Sequence, residues 1–239
     1  MKIFAVDSSA VAASCALADD DKLIFEFFTN AGIQHSRTLA PMIENAFKCT
    51  ESDIGDVDVF AVSKGPGSFT GVRIGISAVK GMAFAKNKPC VGVSSLEAMA
   101  YNLECADGII CAVMDARCGQ VYNALFECED GELSRLCDDR VLTVFDLKEQ
   151  LTMQKKPVFF VGDGANLCYN ELKDSLCDAK IAPDRFRFQR ASGVIRAAKS
   201  AILRGESVTA GQLLPSYLRL PQAVRNLKNR DENTENQNG

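Results

Sequence analysis

The chain has 239 residues and a formal net charge of −4, from 27 lysines and arginines against 31 aspartates and glutamates. This balance argues against a stand-alone nucleic-acid-binding protein, which normally carries a basic excess. The ten cysteines include no C-x-x-C pair and there is one histidine, which excludes zinc fingers and a disulfide framework. Scattered cysteines of this kind are typical of small buried side chains in a reducing cytosol.

The N-terminal region predicts neither a membrane span nor a secretory signal. The apolar run 10–18 is too short to cross a bilayer, and the aspartates 19–21 follow it. Asp7 interrupts the apolar residues before that run, where Lys2 is the only positive charge. We therefore expect a cytoplasmic protein with no membrane partner.

Strands and helices alternate along the first half of the chain. Apolar runs predict strands over 2–7, 12–18, 22–29, 57–63 and 89–93, and helical spacing predicts helices over 34–48, over 71–85 and from residue 95. Pro41 predicts that the regular part of the first helix begins near Leu39 or is kinked there. Ser94 is placed to cap the third helix, with Glu97 at the reciprocal position of a capping box.

The second half repeats the plan of the first. Strands are predicted over 109–115, 120–127, 133–136 and 158–161, and helices over 144–153, after the turn Gly162-Asp163-Gly164, and over 192–203. The first strand of each half ends in an aspartate, Asp7 or Asp115. In a duplicated α/β chain these two ends can face each other across a ligand-binding cleft. The alternative is ordinary strand termination by a polar residue.

A glycine-rich turn, 65–68, opens the second helix, and Ser68 and Thr70 are both candidate N-caps. Backbone N–H groups at such a turn can bind phosphate. However, Lys64 precedes the glycines, so the Lys-Ser/Thr ending of a P-loop is missing. A tight strand-to-helix turn is the alternative interpretation.

The helix that follows is apolar on two faces. Arg73 and Lys80 are its only charged residues between positions 71 and 85. A helix this apolar must be covered on most sides, and its own sheet can cover one face. The face with small residues therefore predicts the close approach of another helix; it comprises Gly71, Gly75, Ala78, Met82 and Ala85.

Six short motifs occur in an order that points to one family. They are Asp7-Ser8-Ser9, the stretch 65–73, the stretch 94–98, Asp115-Ala116-Arg117 followed by Val121-Tyr122, Gly162-Asp163-Gly164 and the stretch 215–219. Together they closely resemble the bacterial TsaB (YeaZ) family, over almost the whole chain from Lys2 to about Pro221. The glycine-rich motif with its Phe and Arg is the most specific of the six.

The resemblance implies an α/β chain with the actin/sugar-kinase/Hsp70-like (ASKHA) fold, in two related lobes that each hold a mixed β-sheet flanked by helices. We expect an N-terminal lobe over 1–104 with the partner-binding helices and a smaller C-terminal lobe over 105–220. A polar tail over 221–239 should be disordered because it can bury almost no apolar surface. A small basic cluster begins just before this tail and extends into it, comprising Arg219, Arg225, Lys228 and Arg230.

TsaB-like proteins are non-catalytic subunits of the machinery that makes threonylcarbamoyladenosine in tRNA, at the adenosine following the anticodon. The resemblance implies a scaffold or activating subunit that dimerises with the catalytic subunit TsaD and helps to recruit the ATPase TsaE. The donor of the threonylcarbamoyl group is threonylcarbamoyl adenylate. A TsaB-like subunit is expected to contact tRNA only as part of the complex. The isolated chain is expected to form a homodimer through the same surface. The expected interface residues are His35, Leu39, Met42, Ile43, Ala46, Gly71, Gly75, Ala78, Met82 and Ala85.

The resemblance also implies that this chain lacks the catalytic metal. The TsaD-like relatives carry two metal-binding histidines four residues apart, after the strand that ends Gly92-Val93. The matching positions here are Ser95 and Met99, which are poor ligands for iron or zinc. We therefore expect no catalytic residue, no metal site and no required cofactor.

The polar residues at the predicted cleft leave one alternative open. Asp7, Ser8, Ser9 and Asp115 match the place where ASKHA ATPases contact phosphate and metal, so ATP or ADP binding is expected to be at most weak. The alternative function is an ASKHA-type ATPase or phosphotransferase in which Asp7 and Asp115 hold Mg²⁺ and position a phosphate.

Overall fold

The computed structural model describes residues 1–219, which form two lobes that are each built on one β-sheet. The strands of the first sheet are β1 (Lys2–Asp7), β2 (Ala13–Asp19), β3 (Lys22–Thr29), β4 (Val59–Gly65) and β5 (Cys90–Ser94). Those of the second are β6 (Gly108–Arg117), β7 (Gln120–Glu129), β8 (Glu132–Arg135), β9 (Arg140–Thr143), β10 (Val158–Val161) and β11 (Ala179–Ile181). The helices are α1 (His35–Cys49), α2 (Phe69–Lys86), α3 (Ser95–Ala100), α4 (Val144–Leu151), α5 (Ala165–Leu172), α6 (Asp184–Arg187) and α7 (Ala191–Leu203). The expected tail over 221–239 lies outside the described residues, as do Arg225, Lys228 and Arg230.

The first sheet has the strand order β3-β2-β1-β4-β5, in which the β1–β2–β3 pairs are antiparallel and β4 and β5 continue in parallel. Alternation along β1 divides its side chains between two cores. Phe4 and Val6 pack under α1 and α2, whereas Ile3 and Ala5 pack under α7. The first sheet is therefore covered by helices on both faces, as its mixed, apolar strands require.

The second sheet has the order β11-β10-β6-β7-β8, and β9 pairs with the end of β7. Helices α4 and α5 cover one face, and α3 lies against the other face, between the two sheets. The mixed sheets predicted for both lobes are confirmed. The sequence analysis missed β9 and β11, because runs of three or four residues carry almost no periodic signal.

Helix α7 corrects the expected division of the chain. The C-terminal lobe was expected to include everything from 105 to 220, but α7 packs on β1, β2 and β5 of the first sheet. Beyond α7, Val208 forms a bridge with Cys90 at the edge of that sheet. Helix α7 and the chain to Val208 therefore pack, by their contacts, on the first lobe.

The ends of the first three helices differ in part from the predictions. Helix α2 is capped by Ser68, whose Oγ accepts from the Gly71 N–H, so Thr70 lies inside the first turn. Ser94 caps α3 as predicted, but the Glu97 carboxylate does not close a capping box and instead pairs with Arg135 at 3.0 Å.

Helix α1 begins at His35, four residues before Leu39, and Pro41 lies inside it. The expectation that its regular part begins near Leu39 is therefore wrong. No helix within residues 1–219 combines the length and the apolar character that a bilayer crossing needs.

Candidate functional site

An inter-lobe cleft of about 370 Å³ lies between the glycine-rich turn before α2 and the tip of the β6–β7 hairpin. Its walls come from segments that are distant in sequence: the ends of β1, β4, β6 and β10, together with Tyr122 of β7 and residues 216–219. Its lining residues include Ser9, Gly67, Ser68, Phe69, Asp115, Arg117, Asp163, Tyr217 and Arg219. Ser9 and Asp115, predicted for the nucleotide cleft, are thus brought to one place.

Asp7, by contrast, is sealed inside the first lobe. Its carboxylate is fully buried and accepts hydrogen bonds from Ser9 N (2.8 Å), from Ser9 Oγ (2.7 Å) and from Ser63 Oγ. Burial raises the pKa of Asp7. Ser8 is also buried, and its Oγ donates to the Gly71 carbonyl at 2.9 Å. The prediction that Asp7 and Asp115 face each other across the cleft is therefore wrong. The Asp7 carboxylate accepts hydrogen bonds inside the first lobe, at the end of β1, and does not line the cleft.

The acidic residues that do line the cleft are Asp115 and Asp163. Asp115 Oδ1 accepts from the Arg117 N–H at 2.7 Å, and Arg117 Nη1 lies 3.4 Å from Oδ2. Burial, followed by the nearby Asp115 charge, raises the pKa of Asp163 to about 6. Within the described residues, Asp163 Oδ1 is buried without a hydrogen-bond partner. The sequence analysis treated Asp163 only as a turn residue, although its place directly after a buried strand could have marked it.

The two residues that the resemblance matched to metal-binding histidines lie in the interior of the protein. Ser95 and Met99 are both buried, and the Met99 sulfur accepts a hydrogen bond from Gln189 Nε2 at 3.1 Å. Across residues 1–219, no three His, Cys, Asp or Glu side chains come together as a metal centre would need. A hydroxyl and a thioether offer no charged or imidazole ligand to iron or zinc.

A second candidate site is the α1–α2 groove, a shallow depression of about 660 Å³ between the two helices. Its floor and walls are mostly aliphatic and aromatic, from Ala40, Ile43, Phe47, Ile54, Ala78 and Met82. Its rim is polar and includes Lys48, which pairs with Glu44 at 2.6 Å. Phe47 and Ile54, which the sequence analysis did not select, complete the groove from the end of α1 and the turn after it.

The ten predicted interface residues separate into three groups. Ile43, Ala78 and Met82 line the groove, Met42 is half-buried beside it, and Ala85 is exposed at the end of α2. The second group lies away from the groove and comprises Leu39, Ala46 and His35; Leu39 and Ala46 are on the buried face of α1 itself. His35 lies at the start of α1, where its Nε2 meets the Ala10 carbonyl at 2.7 Å.

Gly71 and Gly75 form the third group, and the prediction that they face a partner is wrong. A Cβ at Gly71 would lie 2.1 Å from the Ser8 carbonyl oxygen, and a Cβ at Gly75 would lie 2.6 Å from Ser8 Oγ. The small residues thus let α2 approach its own sheet rather than a partner helix. A charged residue at position 75 would disrupt the packing of α2 on its own sheet. A loss of pairing in such a variant would therefore say nothing about the partner surface.

Comparison with known proteins places this geometry in a family. A family model described as TsaD, tRNA N6-adenosine threonylcarbamoyltransferase, matches residues 29–227. The TsaB protein of Bacillus subtilis is 33% identical over 225 residues, which cover 93% of this chain and 96% of that protein. The Escherichia coli TsaB protein is 35% identical over 129 residues, 53% of this chain and 55% of that protein. The solved structure of YeaZ from Pseudomonas aeruginosa has a TM-score of 0.74 at 29% identity, and covers 91% of this chain and 99% of that chain.

The matched family and the two helix-flanked mixed sheets define the class: a TsaD-related protein of two lobes, each built on one mixed sheet, as the resemblance implied. Identity over nearly the full length then gives the particular group. The chain belongs to the TsaB (YeaZ) family.

Proposed function

We propose that this chain is a non-catalytic subunit in the biosynthesis of tRNA threonylcarbamoyladenosine and that it activates a TsaD-like catalytic subunit by pairing with it. Support for the pathway comes from the family, since the Bacillus subtilis relative is named for it. Support for the pairing comes from one observation: the described part of the chain leaves the apolar α1–α2 groove open. Helical partners commonly dock in grooves of this kind.

The groove has the features of a protein–protein interface. Met82 and Ala78 line it as partly buried apolar side chains, and Ile43 and Phe47, which are each 8% exposed, form its apolar floor. The charged residues Glu44 and Lys48 lie at the rim, where they remain solvated. An apolar centre with a polar rim is the usual anatomy of an interface.

The transfer chemistry is assigned to the partner on this proposal. Asp7 is internally satisfied, and Ser95 and Met99 stand where the relatives' histidines bind metal. Threonylcarbamoyl adenylate and the tRNA adenosine following the anticodon would therefore react on the TsaD-like subunit. A TsaE-like ATPase would join the pair, and this chain would meet tRNA only within the complex.

The same groove would support self-association of the isolated chain. A two-fold axis through α1 and α2 places one copy of the groove on the other, so a single apolar patch can be buried in a homodimer. Homodimer and heterodimer would then compete for one surface. Light scattering during titration with the TsaD-like subunit should show the homodimer disappearing; an intact homodimer inside a larger complex would contradict this.

The pairing is tested with Met82→Glu, which places a charge in the groove. We expect this variant to lose co-purification with the TsaD-like subunit and to lose stimulation of tRNA modification in a reconstituted assay. Met153→Glu makes the same chemical change at a side chain that is 80% exposed on the C-terminal lobe, and it should leave both properties intact. Circular dichroism confirms that each variant is folded.

Two results would contradict the proposal. Pairing by folded Met82→Glu at the unchanged affinity would show that the groove is not the interface. Equal modification by the TsaD-like subunit with and without this chain would show that it is not an activating subunit.

The alternative of an ATPase or phosphotransferase that uses Asp7 and Asp115 receives no support from the geometry. Asp7 already accepts three hydrogen bonds and does not line the cleft, so it is not available to hold Mg²⁺ at a bound phosphate. Nucleotide binding by the isolated chain is therefore proposed to be weak. Tight ATP binding by calorimetry, or ATP turnover that Asp7→Ala abolishes, would favour the alternative.

A further inference from the structure

The last described residues cross from one lobe to the other. We call residues 213–219 the C-terminal strap. Leu213 is buried against the first lobe, close to Gly92, and its carbonyl accepts from Lys80 Nζ at 3.2 Å. Further along, the Ser216 N–H donates to the Lys64 carbonyl at 2.7 Å. The strap is thus attached to the N-terminal lobe at two successive points.

An aromatic clasp extends this attachment to the start of α2. The Tyr217 ring stacks on Phe69 at a centroid distance of 4.7 Å and an interplanar angle of 29°. Arg73 contacts both aromatic residues. Its Nε donates to the Tyr217 hydroxyl at 3.0 Å, and its guanidinium carbon lies 4.2 Å from the Phe69 ring centre. Stacked aromatic and cation–π contacts of this kind are both attractive and depend on the mutual orientation of the groups.

The end of the strap reaches the other lobe. Arg219 Nη1 donates to the Ala116 carbonyl at 2.6 Å, at the C-terminal end of β6. A charge-assisted hydrogen bond of this length is among the stronger polar contacts. The strap therefore adds a direct contact between the lobes to the contacts that α3 makes with both sheets.

The strap also divides the space between the lobes. Ser216 and Leu218 line both the inter-lobe cleft of about 370 Å³ and a neighbouring cavity of about 320 Å³. The neighbouring cavity is also lined by Lys64, Glu97 and Arg135. Ser216 and Leu218 of the strap are therefore part of the wall of both cavities.

We propose that the C-terminal strap is a releasable latch, which fixes the angle between the lobes and closes one side of the inter-lobe cleft. Release is feasible because the contacts beyond Leu213 are few and lie near solvent: Tyr217 is 40% exposed. Segments held by few contacts open with a low local free energy, whereas the buried Leu213 keeps the base of the latch in place. The latch belongs to the isolated chain and does not depend on the proposed partner.

Amide hydrogen exchange of the full chain tests whether the strap acts as one unit. Arg219→Ala removes the contact with the C-terminal lobe, yet it should accelerate exchange of the Ser216 amide, on the other lobe, by at least tenfold. Tyr217→Ala should do the same, and Tyr217→Phe, which keeps the stack but loses the Arg73 hydrogen bond, should give a smaller acceleration. Leu214→Ala is the matched control, because that side chain is 67% exposed on the same segment.

Small-angle scattering tests the effect on the lobes. The radius of gyration of the Tyr217→Ala/Arg219→Ala double variant should exceed that of the wild type, while thermal unfolding shows that the variant is folded. Unchanged exchange at Ser216 in Arg219→Ala would refute the latch as one unit. An unchanged radius of gyration in the folded double variant would refute its role in fixing the lobes.

Discussion

Two glycines of α2 provide a direct test of which face of this helix is covered by its own sheet. At Gly71, an added Cβ would lie 2.1 Å from the carbonyl oxygen of Ser8, a buried backbone atom that no side-chain rotation can move. At Gly81, in the same helix, an added Cβ would meet no atom within 4 Å. The substitution to alanine is chemically identical at the two positions, so only the surroundings differ.

The expected effects have opposite signs. Replacing glycine by alanine inside a helix stabilises by about 1 kcal/mol, and this is the whole effect at Gly81. Overpacking costs about 1–3 kcal/mol, and a backbone obstacle at Gly71 places the cost at the upper end. After the helix gain is subtracted, Gly71→Ala should destabilise the chain by about 2 kcal/mol.

Thermal and urea unfolding measure both variants against the wild type. For a chain of this size, 1 kcal/mol corresponds to about 2–4 °C in Tm. Gly81→Ala should therefore raise Tm by about 2–4 °C, and Gly71→Ala should lower it by about 4–8 °C. If both variants are stabilised equally, Gly71 does not pack on the first sheet, and the small-residue face would be free for a partner after all.

Three further predictions concern buried charges. The raised pKa of Asp163 means that the folded state binds a proton more tightly than the unfolded state. The free energy of unfolding should therefore fall by about 1–3 kcal/mol as pH rises from about 4 to about 6. Urea unfolding at a series of pH values should show that Asp163→Asn removes this loss. Arg190→Ala leaves the buried Glu26 carboxylate without its ion pair and should cost about 3 kcal/mol in urea unfolding. Asp7→Ala leaves the buried Ser63 hydroxyl and two other donors unpaired and should lower stability by about 3 kcal/mol, with a smaller loss for Asp7→Asn.

Each of these has a contradicting outcome. A pH profile for Asp163→Asn parallel to that of the wild type would mean that the carboxyl is solvated. Loss of less than about 1 kcal/mol in Arg190→Ala would mean that Glu26 is reached by water. Equal stability of Asp7→Ala and the wild type would place Asp7 outside the core.

The sequence predicted the larger elements and the family, but it did not predict how their faces are used. Helical spacing correctly predicted α1 and α2 as helices. It could not assign their apolar residues to a covering surface, since a row of apolar residues looks the same whether a sheet or another chain covers it. The Asp7–Asp115 pair fails for a related reason: strand ends were placed correctly, but the serine that seals Asp7 lies 56 residues away.

By itself, the sequence determined the order of strands and helices, the Ser68 and Ser94 caps and the motifs of the TsaB family, because these depend on residues close together in the chain. Only the tertiary structure decided that Gly71 and Gly75 pack against Ser8 at the end of β1, that α7 returns to the first sheet, and that the strap contacts both lobes. These depend on contacts between segments up to about 190 residues apart, whose distance and direction leave no local periodic pattern.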